Sequence, residues 1–147
     1  GSRVMLKRFL ILCLSLCVFA GISNDAFAAK KQKKMTAEQI MQAREETEYL
    51  RKKIYAHGLF SPQDNEKLIN IKMQLDNSML ISIDPQFAPI YYQLGIIYKA
   101  RELKDDAIDC FQIILENFSD TAFAPKAKRE LQKMGVNIKD PALSAGE

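Results

Sequence analysis

The sequence predicts an all-α fold, a short stack of antiparallel helical hairpins with about five helices between residues 36 and 135. Apolar residues recur at helical spacing from Met35 onward, and no run alternates in the manner of a strand. Helix-start signals stand at Thr36 and Ser61, each followed by an amphipathic stretch. With 147 residues, 48% hydrophobic and 27% charged, the chain has the composition of an ordinary globular protein with one core.

Thr36-Ala37-Glu38-Gln39 has the spacing of a capping box, with Thr36 as N-cap and Gln39 reaching back. Ile40, Ala43, Leu50, Ile54 and Tyr55 make the apolar stripe of the first helix, with one gap at Thr47. On its wet face Glu48 precedes Lys52 in the favourable order. Gly58 stops this helix, and His57 just before it suits the negative end of the helix dipole. Ser61-Pro62-Gln63-Asp64 opens the second helix with a capping serine, proline at the first position and an acid in the first turn. Leu68, Ile71, Leu75, Met79 and Ile83 line one face, and Asp84-Pro85 ends it.

A third helix is predicted from about Phe87 to Ala100 and a fourth from about Asp105 to Asn117. The short link Arg101-Glu102-Leu103-Lys104 makes them an antiparallel pair. After Phe118-Ser119-Asp120 a fifth helix directs Ala124, Ala127, Leu131 and Met134 to the core, and Gly135 stops it. Residues 136–147 hold Pro141 and little apolar pattern, so they read as a loose tail.

The first 28 residues read as an address. Gly1 to Val4 precede the first methionine, Met5, and read as residues added in cloning. Lys7 and Arg8 then lead into an apolar or small run from Phe9 to Ile22. As a helix that run covers roughly 21 Å, against a hydrocarbon core of about 30 Å. Ala26-Phe27-Ala28 offers small residues for cleavage, so the expectation is a secretory signal cut after Ala28; the alternative is an uncleaved anchor. Leu12 and Leu16 stand before Cys13 and Cys17, where lipid attachment would want small residues.

Cleavage leaves Cys110 as the one cysteine, on an apolar helical face, and no intramolecular disulfide. It also removes Arg3, Lys7, Arg8 and Asp25, so the formal charge falls from +3 to +1. Lys30, Lys31, Lys33 and Lys34 concentrate positive charge in a basic linker, residues 29–35. The basic balance therefore belongs to the N-terminus and gives no nucleic-acid surface.

Tyr91, Leu94-Gly95, Tyr98, Ala107 and Phe111 stand at the offsets of a tetratricopeptide repeat, a helical hairpin of about 34 residues. Asp84-Pro85 closes the preceding unit where a proline is expected. The third and fourth helices thus resemble one tetratricopeptide repeat, of the kind found in bacterial envelope proteins. Gly95 and Ala107 are small where two helices of a repeat approach each other. The resemblance departs at Ile114 and Ser119, and residues 54–85 are at best a degenerate repeat. It implies that the fifth helix caps the stack.

No feature points to catalysis. The chain has one His and no Trp, and lacks a Gly-rich phosphate loop, Cys-x-x-Cys or His-Glu-x-x-His. Acid pairs such as Asp105-Asp106 and Glu45-Glu46 are neighbours that point apart on a helix. The expectation is no enzyme, no cofactor and no metal. The resemblance implies instead a protein-interaction module of the periplasm or envelope, taking a peptide or amphipathic helix of another protein on its concave face. A permanent small subunit of an envelope complex is the alternative. Carried onto this chain, the family's concave positions are Tyr92, Ile96 and Lys99, with Gln93 beside them. Families that clamp a terminal carboxylate carry Lys and Asn at the first two positions, so this face is apolar with a cationic edge. The competing reading makes Tyr92 and Ile96 core residues, packed through Leu75 and Met79.

Overall fold

The computed structural model describes residues 33–138; residues 1–32, which include the expected secretory signal, and residues 139–147 lie outside the described residues. Five helices form the architecture: α1 (Ala37–Tyr55), α2 (Pro62–Met79), α3 (Phe87–Ala100), α4 (Lys104–Asn117) and α5 (Phe123–Lys133). No strand occurs among the described residues.

Both N-caps use the chemistry that the sequence provides. The Thr36 hydroxyl accepts from the Gln39 backbone at 3.2 Å, and the Gln39 side chain accepts from the Thr36 N–H at 2.9 Å. Ser61 and Asp64 form the same reciprocal box, with Pro62 just inside the helix. The Asp64 carboxylate also takes the Lys53 ammonium from the end of α1, so one buried acid fastens two helix ends. Met35 is buried as well, and its N–H donates to Ser78 Oγ at 3.0 Å.

Three local expectations change. Tyr55 is exposed, because Ile54 already occupies the stripe and the next residue lies roughly 100° further round. Thr47 is no gap: it is buried, and its hydroxyl donates to the Ala43 carbonyl at 2.6 Å. The second helix stops at Met79, leaving Ile83 exposed. The N–H groups of Ile81 and Ser82 both turn back to the Ser78 carbonyl, and Pro85 biases Asp84 away from helical backbone.

At the end of α1 the left-handed residue is His57, with φ 55°, and Gly58 follows it. The Gly58 N–H reaches the Lys53 carbonyl at 2.8 Å, and a Cβ on Gly58 would stand 2.8 Å from Lys53 Cγ. Gly135 closes α5 in the more usual way, with φ 75°, while the Val136 N–H bonds to the Leu131 carbonyl. Val136 and Ile138 then pack against the core, so the ordered domain reaches past residue 135.

Helix α3 is the axis of the molecule. It touches all four other helices, and Phe87, Ile90, Tyr91, Leu94, Ile97 and Tyr98 are all buried. A helix apolar round most of its circumference must be enclosed in this way. Side-chain contacts give the directions. Lys53–Asp64 and Met35–Ser78 run α1 against α2, and Tyr98–Leu68 and Tyr91–Asp76 run α2 against α3. Gly95 against Phe111 and Tyr91 against Phe118 make α3 and α4 an antiparallel hairpin. Tyr92–Phe123 and Lys99–Glu130 instead align α5 parallel to α3. These two helices open on the same tripeptide, Phe87-Ala88-Pro89 and Phe123-Ala124-Pro125. In both, the proline falls in the first turn, where a missing N–H costs no helical bond.

The tight seam between α3 and α4 is at Gly95, and the nearest side chain to it is the Phe111 ring. A Cβ on Gly95 would stand 2.5 Å from the Phe111 ring. Gly95→Ala should therefore lower stability by about 1–3 kcal/mol despite alanine's better helix propensity. Thermal unfolding measures this, and Phe111→Leu in the same chain should recover part of the loss.

Asp64 gives a pH dependence. The Lys53 hydrogen bond and the Ser61 backbone hold its carboxyl at about 2, against an ordinary value near 3.8. The unfolded chain binds that proton more readily, so this stabilisation is present above about pH 4 and is lost as pH falls towards 2. Asp64→Asn should lower the Tm at neutral pH and flatten the acid limb between pH 4 and 2, followed by circular dichroism.

Candidate functional site

Tyr92 and Lys99 of α3 reach α5, Ile96 shares their face by helical spacing, and Gln93 stands next to Tyr92 in the chain; all four are half-buried. Tyr92 is held by tilted aromatic contacts: its ring lies 6.0 Å from Phe111 and 5.8 Å from Phe123, centroid to centroid. Ile96 packs against the core beside it. The aromatic support of Tyr92 thus comes from α4 and α5. Burial raises the pKa of the Tyr92 phenol, and the nearby Glu130 carboxylate adds to the effect.

Lys99 is engaged within the chain. Its Nζ donates to Glu130 Oε2 at 2.7 Å, and Lys133 approaches the other oxygen at 3.5 Å. Burial works against the Glu130 anion, but the hydrogen bonds and charges of Lys99 and Lys133 together outweigh it and hold the carboxyl below its ordinary value. The further positive charge at this face comes from Lys126 of α5 and from Arg51 of α1, the latter already paired with Glu48 at 3.0 Å. Lys126 sits 5.3 Å above the Phe123 ring, and the Arg51 guanidinium 5.6 Å from the Tyr55 ring. Tyr55 is close enough to Tyr92 to contribute to its raised pKa. Phe123, Glu130 and Tyr55 were absent from the sequence reading of this face. The one signal for the α5 pair was the recurring Phe-Ala-Pro, which marks α5 as the counterpart of α3.

On the other side of α3, one polar network ties three helices. Lys72 of α2 meets Asp76 of its own helix at 2.8 Å and Asp109 of α4 at 2.7 Å. Tyr91 of α3 donates to the second oxygen of Asp76 at 2.7 Å. Burial opposes the Lys72 ammonium; the hydrogen bonds to Asp109 and Asp76 overcome that and raise its pKa. Burial, joined by the Asp76 hydrogen bond, keeps the Tyr91 phenol protonated. Cys110 is buried and free, and burial pushes its thiol up, away from the reactive thiolate.

No protein-family model, curated protein or solved structure matches this chain. Among the described residues no group of three His, Cys, Asp or Glu side chains is placed to hold a metal ion. No described helix is long and apolar enough to cross a membrane. An open cleft of about 470 Å³ lies on the outer side of α1, lined by Met41, Arg44, Glu48 and Tyr49 among others. Tyr92, Gln93, Ile96 and Lys99 do not line it. What the α3 face offers chemically is an aromatic platform with cations at its rim, which suits an apolar side chain flanked by a carboxylate.

Proposed function

We propose that the chain is a non-enzymatic protein-interaction module, a tetratricopeptide-like scaffold exported to the bacterial envelope. It takes a peptide or an amphipathic helix of another protein on the face of α3 that carries Tyr92, Gln93, Ile96 and Lys99. One observation carries this reading: α5 runs parallel to α3 and supports Tyr92 from the side through Phe123, leaving the ring half-exposed. Parallel first helices of successive hairpins are how helical repeats build a recognition surface. A half-buried tyrosine on a rigid aromatic support is also the usual form of an interface anchor.

A permanent subunit of an envelope complex is the second reading, and the exposure of Leu59 and Leu80 favours it. Size measurement on the purified protein separates the two: a scaffold stays monomeric and dispersed, whereas an orphan subunit aggregates.

A photo-crosslinking residue at Gln93, introduced in the native host, should capture one predominant partner. Tyr92→Ala should cut that crosslink at least tenfold while the helical circular dichroism is retained. Loss of fold together with loss of the crosslink would return Tyr92 to the core and end this reading. Export has its own check. Mass spectrometry of the protein from its host should find an N-terminus at Ala29, and an intact chain from Met5 in the membrane fraction would favour the retained anchor.

A further inference from the structure

Helix α2 carries a second apolar stripe that the core does not use. Ile69 is 59% exposed, Met73 52% and Leu80 73%, while Leu68, Ile71 and Leu75 are buried against the core. Leu103, at the start of α4, is 42% exposed across from them. The two helices flank α3 without packing on each other, so a groove runs between them. Two open clefts, of about 440 and 360 Å³, lie along it and meet at Asp76. The first is lined by Ile69, Met73, Tyr98 and Leu103, and the second by Met79, Leu80 and Ile113. From Ile69 to Leu80 the stripe is roughly 16 Å long, the length of a three-turn helix.

The charges in this groove have one sign in excess. Asp76, Asp106 and Asp109 line it, and Lys72 is the one cation among the lining residues. Lys72 is already bound to Asp76 and Asp109 and is mostly buried. Two carboxylates beyond neutrality therefore sit beside large exposed apolar side chains. That combination is complementary to a basic amphipathic helix and repels an acidic one. Met73 at the centre adds an adaptable apolar contact.

We infer that the groove between α2 and α4 is a second docking surface, and that its occupant is a short amphipathic helix of another protein. This helix carries Lys or Arg between two large apolar side chains. The apolar residues enter the two clefts, and the cation meets the exposed carboxylates of Asp106 and Asp109, one beside each cleft. The site goes beyond the α3 face, which lies on the other side of that helix and selects the opposite charge.

Random peptides displayed in a library and selected on the purified full chain test it. Enriched peptides should share a basic residue flanked by two large apolar ones. Their affinity, read by fluorescence anisotropy, should fall at least tenfold with Met73→Lys and with Asp106→Lys, and should weaken as salt rises. Both positions are exposed, so circular dichroism should show unchanged folding. Lys126→Glu, on the other face, should leave this binding unchanged. Failure to enrich any peptide, enrichment of acidic peptides, or binding indifferent to Met73→Lys would each overturn the assignment. A loss caused by Lys126→Glu alone would move the selected peptides to the α3 face.

Discussion

The ring of Phe111 lying over the bare backbone of Gly95 is the contact on which the rest of the domain depends. Without a side chain at Gly95 the axes of α3 and α4 approach closely enough for that ring to fill the seam. Such an approach lets α3 be enclosed by four helices rather than packed on one side. The same ring then supports Tyr92 from below. One close approach therefore fixes the hairpin, the burial of the central helix and the base of the candidate site. Interiors packed to crystal-like density transmit a misfit of one methyl group to every neighbour that shares the contact.

Polar side chains do a complementary job at the junctions between helices. Asp64 caps α2 and holds Lys53 of α1; Ser78 near the end of α2 takes the N–H of Met35. Lys72, Asp76, Tyr91 and Asp109 join α2, α3 and α4. Buried ion pairs gain little net energy over well-packed apolar groups, because desolvation offsets their attraction. Their value lies in register. A slip of one residue would leave buried charge without a partner, which is far costlier than a displaced leucine.

The arrangement leaves α3 with two differently charged neighbourhoods. Towards α5, aromatic rings stand among Lys126 and two internally paired cations, Lys99 and Arg51. Towards the α2–α4 groove, carboxylates outnumber the single lysine. Both sides expose apolar surface, yet the signs of their rims differ, and charge at the rim governs which partner is attracted and which is excluded. A single central helix thus separates two apolar faces whose rims differ in charge.

The number of helices, their order, the capping box at Thr36, the capping serine at Ser61 and the hairpin of α3 with α4 were all legible in the sequence. Each is written in local signals, such as caps, prolines, glycines and a 3.6-residue stripe, which act within one turn and need no distant partner. The stripe could not show that Thr47 is buried while Tyr55 is not, since a hydroxyl that bonds its own helix counts as apolar only once the helix exists. Nor could it show that Lys99 is spent on Glu130, or that the Phe111 ring lies nearest to Gly95. The second stripe of α2, at Ile69 and Met73, has no place in the helix's core stripe and lies on the surface. Those outcomes depend on which faces meet when α3 is enclosed, and packing geometry between segments remote in the chain decides that.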